Sequence, residues 1–152
     1  MHCFASPACH ASASSGSIRQ EGEMAMGKGL DSAWWALRLG LGLGPFLAGL
    51  DKFFNQLTDW GMYLNPAISR LLPFDAGVFM RVVGVVEMAV GLAILAGLTR
   101  IGGYVAAAWL AAIAVNLVSM GRFYDIAVRD VLISIAAYTL ARLSEVRASG
   151  YR

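Results

Sequence analysis

Four stretches of this chain are almost wholly apolar, and each ends at a polar break. They run from about Ala33 to Leu50, Ala76 to Leu98, Ile101 to Met120 and Ile126 to Leu143. Each approaches the ~20 residues that an α-helix needs to cross the hydrocarbon core of a bilayer. Trp34 and Trp35 stand at the entry to the first stretch, as aromatic rings do at a membrane–water boundary. Asp51 and Lys52 close it, and Thr99-Arg100 separates the second from the third. The last three connections are short, which makes consecutive helices antiparallel neighbours. The pattern predicts an all-α fold: an integral membrane four-helix antiparallel bundle.

Between the first two spans lies one long connection, residues 51–75. Phe53, Phe54, Trp60, Tyr63 and Phe74 make it aromatic, as expected of an anchor at the membrane surface. Asn65-Pro66 introduces a short segment, Ala67 to Leu72, that ends before Pro73, and this reads as a short interfacial helix between spans 1 and 2. Gly40, Gly42, Gly44 and Gly49 thin the first span so that a neighbour can approach, and Pro45 removes one backbone donor and bends it. The third span is rich in Gly and Ala, which also favours close packing.

Three regions follow. Residues 1–32 are rich in Ser, Ala and Gly without a periodic apolar face, and read as a disordered N-terminal tail. Met24 and Met26 offer alternative starts, which would make the first 23 residues an extension. Residues 33–143 form the membrane domain, and 144–152 a polar C-terminal tail. His2, Cys3, Cys9 and His10 cluster in the tail, but their spacing fits no standard zinc pattern, so no metal site is assigned.

Composition strengthens the membrane reading. Hydrophobic residues make up 58% of the chain and charged residues 14%, against roughly 25% charged in a soluble domain. Too little polar surface remains to coat a globule in water. The net charge of +2 comes from dispersed Lys and Arg, without the basic run that would suggest nucleic acid. With every Cys and His in the first ten residues, the spans have neither a bis-His haem site nor a thiolate site. Arg19, Lys28, Arg100, Arg142, Arg147 and Arg152 fall on the side of the termini, against Lys52, Arg70, Arg122, Arg81 and Arg129 towards the other. The bias places both termini in the cytoplasm.

The charges inside the spans are the candidate chemistry. Glu87 sits mid-span, where a carboxylate costs several kcal/mol unless paired, protonated or functional. Arg38 lies about 20 Å below the outer end of the first span and Glu87 roughly 15 Å below that of the second. Similar depth predicts an Arg38–Glu87 ion pair, which is also a candidate proton relay. Gly84 and Gly91 share the Glu87 face and turn it inward. A second cluster lies near the outer ends: Asp51, Lys52, Arg81, Asn116, Arg129 and Asp130. Asp125 and Arg129 are four apart, acid first, the order that stabilises a helix as a structural pair. Asp130, Ser134, Ala137 and Ala141 form a small or polar stripe directed at the bundle. The plainer reading is that such pairs only fix helix register, and that Lys52 merely reaches for the surface.

The residues Leu37-Arg38-Leu39-Gly40 and Gly49-Leu50-Asp51-Lys52 resemble the first span of the DoxX-like family. Val83-Gly84-Val85-Val86-Glu87 with Gly91 and Leu98-Thr99-Arg100 is similar to its second, and Asp125 with Arg129-Asp130 to the start of its fourth. The resemblance covers about residues 33–143. It implies a small four-helix membrane protein, in some cases linked to quinone-reducing oxidoreductase complexes, including thiosulfate oxidation, and in others to oxidative-stress and thiol-handling assemblies. The chain carries no catalytic or cofactor motif of its own. The implied role is therefore a non-catalytic or quinone-interacting subunit in the bacterial cytoplasmic membrane, with the lipid bilayer and redox subunits as partners and oligomerisation open. Arg81, Asn116 and Asp130 would hydrogen-bond a quinone, with Glu87 relaying protons. The alternatives are a small proton-coupled transporter with Arg38 and Glu87 along its path, and a membrane scaffold without a ligand.

Overall fold

The computed structural model describes residues 7–150, with side chains from Met24 to Ser149. The described residues are almost entirely helical, with no strand among them. They form α1 (Pro7–Asp51), a 3-10 turn (Trp60–Tyr63), α2 (Pro66–Leu71), α3 (Ala76–Leu95), α4 (Thr99–Ser119) and α5 (Tyr124–Gly150). The chain divides into a first compact unit ending at Trp35 and a second beginning at Ala36.

The first unit differs from expectation. Residues 7–32 are helical rather than irregular, within α1. The reason is local. Pro7 stands at the first helical position, where a missing N–H costs nothing, and no second proline interrupts the chain until Pro45. Ala, Glu, Met and Lys supply enough helix propensity once nucleated. His2 and Cys3 lie outside the described residues, as do the side chains of Cys9 and His10. In this unit the rings of Trp34 and Trp35 meet edge to face, 5.1 Å apart.

In the second unit the element boundaries follow the punctuation of the sequence. Asp75 caps α3 by accepting from the Gly77 amide at 2.8 Å, and Asn65 caps α2 through the Ala67 amide at 2.9 Å. Gly97, at φ +107°, takes the left-handed conformation that ends α3. The residues expected to form a C-terminal tail instead continue α5 to Gly150.

Two helices, α3 and α4, are long and apolar enough to cross a membrane. Only 17% and 28% of their apolar windows are buried within the protein. The core helix of a soluble protein would be mostly covered. Here Val78, Val82, Val85 and Leu92 of α3, and Val105, Val115 and Val118 of α4, stand exposed. An apolar surface of this kind suits lipid rather than water. The apolar stretch of α5 is interrupted by Arg129, Asp130 and Arg142, and that of α1 by Arg38 and Pro45.

Small residues set the packing. A Cβ on Gly84 would stand 2.5 Å from the Gly49 carbonyl oxygen, and one on Gly91 2.5 Å from that of Gly42. The two contacts are seven residues apart on each helix, so they define one antiparallel register for α1 against α3. Gly40 and Gly44, expected to serve the same purpose, face open space. On the other side, Gly103 brings α4 against the Ala137 carbonyl and the Ala141 methyl of α5. Ala137, Leu140 and Ala141 are fully buried there, as the expected inward stripe requires, and Ser134 donates to the Ala107 carbonyl at 2.8 Å.

Candidate functional site

The end of α1 that carries Asp51 and Lys52 is built around those two side chains, both buried. Asp51 organises the aromatic connection. Its carboxylate accepts from the Gln56 amide at 3.0 Å, the Leu57 amide at 3.1 Å and the Trp60 indole Nε1 at 2.8 Å. Burial alone would push its carboxyl up. The hydrogen bonds from Trp60, Leu57 and Gln56, with Lys52 alongside, outweigh that and hold it below the usual carboxylate range. The stabilisation is present above the ordinary carboxyl pKa of ~3.9 and is lost as pH falls through the lowered value.

Trp60, positioned in this way, covers Lys52: the ammonium lies 3.7 Å from the ring centroid, close enough for a cation–π attraction. On its other side Lys52 Nζ donates to Glu87 Oε2 at 2.5 Å, and both side chains are at least nine-tenths buried. Glu87 is therefore paired, as its depth demands, but with Lys52 and not with Arg38. The helix register explains the correction. Gly49, two residues from the end of α1, faces Gly84, eight residues into α3. The N-terminal end of α3 thus projects about two turns beyond the C-terminal end of α1, and depths counted from the two ends are offset by roughly 9 Å.

Arg38 serves elsewhere. It donates from Nε to the Ile94 carbonyl at 3.2 Å and from Nη2 to the Leu95 carbonyl at 2.5 Å. These are last-turn carbonyls of α3, at the negative end of the helix dipole, and that of Ile94 also accepts from the Gly97 amide at 3.2 Å. Arg38 is thus a C-terminal cap supplied by a neighbouring helix. The part of this that the sequence carried was Ala96-Gly97, a helix stop.

Two further elements complete the site. Asp130 of α5 is buried and interacts with Lys52 and Glu87 through charge. The indole Nε1 of Trp109 on α4 is buried and interacts with the Glu87 carboxylate. Sequence reasoning passed over Trp109 because a tryptophan within an apolar run reads as lipid-facing or core. Arg129 Nε lies 3.5 Å from Asp130 Oδ1. The expected Asp125–Arg129 pair does not form: Asp125 is exposed, and the buried Asp130 carboxylate is the stronger attraction for the guanidinium.

The other members of the expected outer cluster do not join it. Arg81 is exposed on the first turns of α3. Asn116 supports the connection, donating to the Tyr63 carbonyl at 2.8 Å, while its Oδ1 is buried without a hydrogen-bond partner. Tyr63 packs edge to face on Phe123, 4.9 Å away, and Asn65 Nδ2 donates to Ser119 Oγ at 2.8 Å. The aromatic connection is thereby strapped across the ends of α4 and α5. Close to these ends lies a shallow, open apolar depression of about 410 Å³, lined by Ala111, Ala114, Val115, Val118, Ser119 and Val131.

The assembled site is a sealed set of proton donors and acceptors: Lys52, Glu87, Asp130 and Trp109, under Trp60. Of the three buried carboxyl groups, Glu87 is paired with the buried Lys52, Asp130 with Arg129, and Asp51 with backbone amides and the Trp60 indole. Among the described residues no group of His, Cys, Asp or Glu is placed to hold a metal ion. The fold and site define a helical protein with two helices fit to span a membrane and a charged interior. No protein-family profile, curated protein or solved structure matches the chain.

Proposed function

We propose that the chain is a DoxX-like four-span protein of the bacterial cytoplasmic membrane, both termini cytoplasmic, acting as the quinone-interacting membrane subunit of an oxidoreductase complex. The observation that carries this reading is the buried Lys52–Glu87 pair with Asp130 and the buried Trp109 indole beside it. Charges held at this depth are expensive and mark functional sites in membrane proteins. Lys52 and Trp109 would offer hydrogen bonds to quinone oxygens, and Glu87 and Asp130 would exchange protons with the site. The shallow apolar depression along α4 suits an isoprenoid tail. The α1 and α5 helices, interrupted by charge, cross the membrane in this reading because their polar residues face one another or the helix ends. Arg81 and Asn116 are not needed to hold the ring.

The test is identification of co-purifying quinone by mass spectrometry on the detergent-solubilised protein, with Glu87→Gln beside the wild type. Near-stoichiometric quinone in the wild type is expected, and a several-fold loss in a variant that still folds. A well-folded wild type without quinone would remove the redox reading and leave the small proton-coupled transporter and the ligand-free scaffold.

A further inference from the structure

At the opposite end of the bundle, α4 and α5 gather charges that the site above does not use. Glu145 is the centre. Arg100 Nε lies 3.0 Å from its Oε1, Arg142 Nη1 2.5 Å from its Oε2, and the Tyr104 hydroxyl donates to Oε1 at 3.2 Å. Two guanidinium groups thus share one carboxylate, which leaves the cluster with a net positive charge. Glu145 is mostly covered, whereas the Arg100 and Arg142 side chains are 69% and 57% exposed. An arginine carries five N–H donors, and Glu145, with Tyr104 also against Arg142, engages only some of them, which leaves both guanidinium groups with exposed donors.

The surroundings identify the medium that these forks meet. Leu98 just before α4, Ile101 and Val105 of α4, and Ile135 and Tyr138 of α5 are exposed apolar or aromatic neighbours along the same helix pair. Tyr104 and Tyr138 meet edge to face at 5.9 Å, at the level where tyrosines favour the headgroup region. Gly103 against Ala137 and Ala141 makes the α4–α5 pair close-packed, so the two arginines are held at a fixed spacing. A soluble acidic partner would meet charge without reason for the apolar flank. A phospholipid offers both a phosphate for the forks and acyl chains for the flank.

We propose that Arg100 and Arg142, steadied by Glu145 and Tyr104, form a binding site for the phosphate headgroup of an anionic phospholipid on the side of the termini. The proposal rests on the membrane-spanning reading given above. Clustered basic residues at a membrane surface contribute roughly 1 kcal/mol each towards anionic lipid, which is about fivefold per arginine and about 30-fold for the pair.

The experiment is native mass spectrometry of the full chain released from mixed nanodiscs of phosphatidylglycerol and phosphatidylcholine. Wild type is expected to retain phosphatidylglycerol preferentially, Arg100→Gln/Arg142→Gln to lose that preference by about 30-fold, and Arg122→Gln, at the other end, to keep it. Melting in zwitterionic detergent confirms that the double variant is folded. Arg142→Gln alone, expected to lose about fivefold, supplies the answer if the double variant is not. Equal retention of the two lipids by wild type, or an unchanged preference in a folded variant, overturns the site. Carbonate extraction of native membranes keeps the two readings apart: a chain that washes off the membrane defeats the spanning reading itself, whereas an integral chain without headgroup preference defeats only the lipid site.

Discussion

Lys52→Met lowers the stability of the protein by about 3–5 kcal/mol, whereas Lys52→Met combined with Glu87→Leu recovers most of that loss. The single change leaves the Glu87 carboxylate buried without its ammonium, and the cost of an unpaired interior charge is the large term. The double change removes both charges and fills the space with apolar atoms of similar volume, which is often neutral or better. Reversible unfolding in mixed micelles measures both. The coupling is the informative number, since in a contact pair the two effects are far from additive. Additive losses would show that the pair is not the interaction holding α1 to α3 at this level. The same pair of variants separates structure from function: a stable double variant that no longer retains quinone assigns the charges to the site and not to the fold.

Gly84→Leu is the second large effect. Its Cβ would meet the Gly49 carbonyl oxygen, a backbone atom on the facing helix, at 2.5 Å. No rotamer change relieves that contact, so the helices must separate, and overpacking of this kind costs about 1–3 kcal/mol or more. Separation also lengthens the reach from Lys52 to Glu87, so charge and packing fail together. Gly40→Leu is the matched control. It stands in open space on α1, and replacing an exposed helical glycine by leucine is neutral or stabilising by up to ~1 kcal/mol. Equal stability of the two variants would refute the close approach of α1 and α3.

The apolar helices were legible because runs of that length and hydropathy have few other solutions. Their depths relative to one another were not. Pairing Arg38 with Glu87 assumed that spans begin and end at common levels, and helix stagger is a property of packing that no single run encodes. Gly42, Gly49, Gly84 and Gly91 held the answer as two pairs with equal spacing, but Gly40 and Gly44 stood among them with the same appearance in the sequence. Only three-dimensional contact distinguishes a glycine that admits a neighbour from one that faces outward. Lys52 was legible as a residue of the outer cluster. Its partner and its cover were not, because Trp60 reaches it through an irregular connection that Asp51 folds back. Trp109 was missed for want of any pattern that separates a site-facing indole from a lipid-facing one.

The cover over Lys52 has a chemical consequence. The chain has two lysines, Lys28 and Lys52. Lys28 is exposed. Lys52 is closed off by Trp60 on one side and bound to Glu87 on the other. An acylating reagent needs a reachable amine, and the buried Lys52 does not offer one. The folded protein therefore carries one reactive side-chain amine and one dormant one. Acylation of Lys52 becomes a record of every occasion on which the aromatic strap has lifted, read at a single atom and calibrated internally by Lys28.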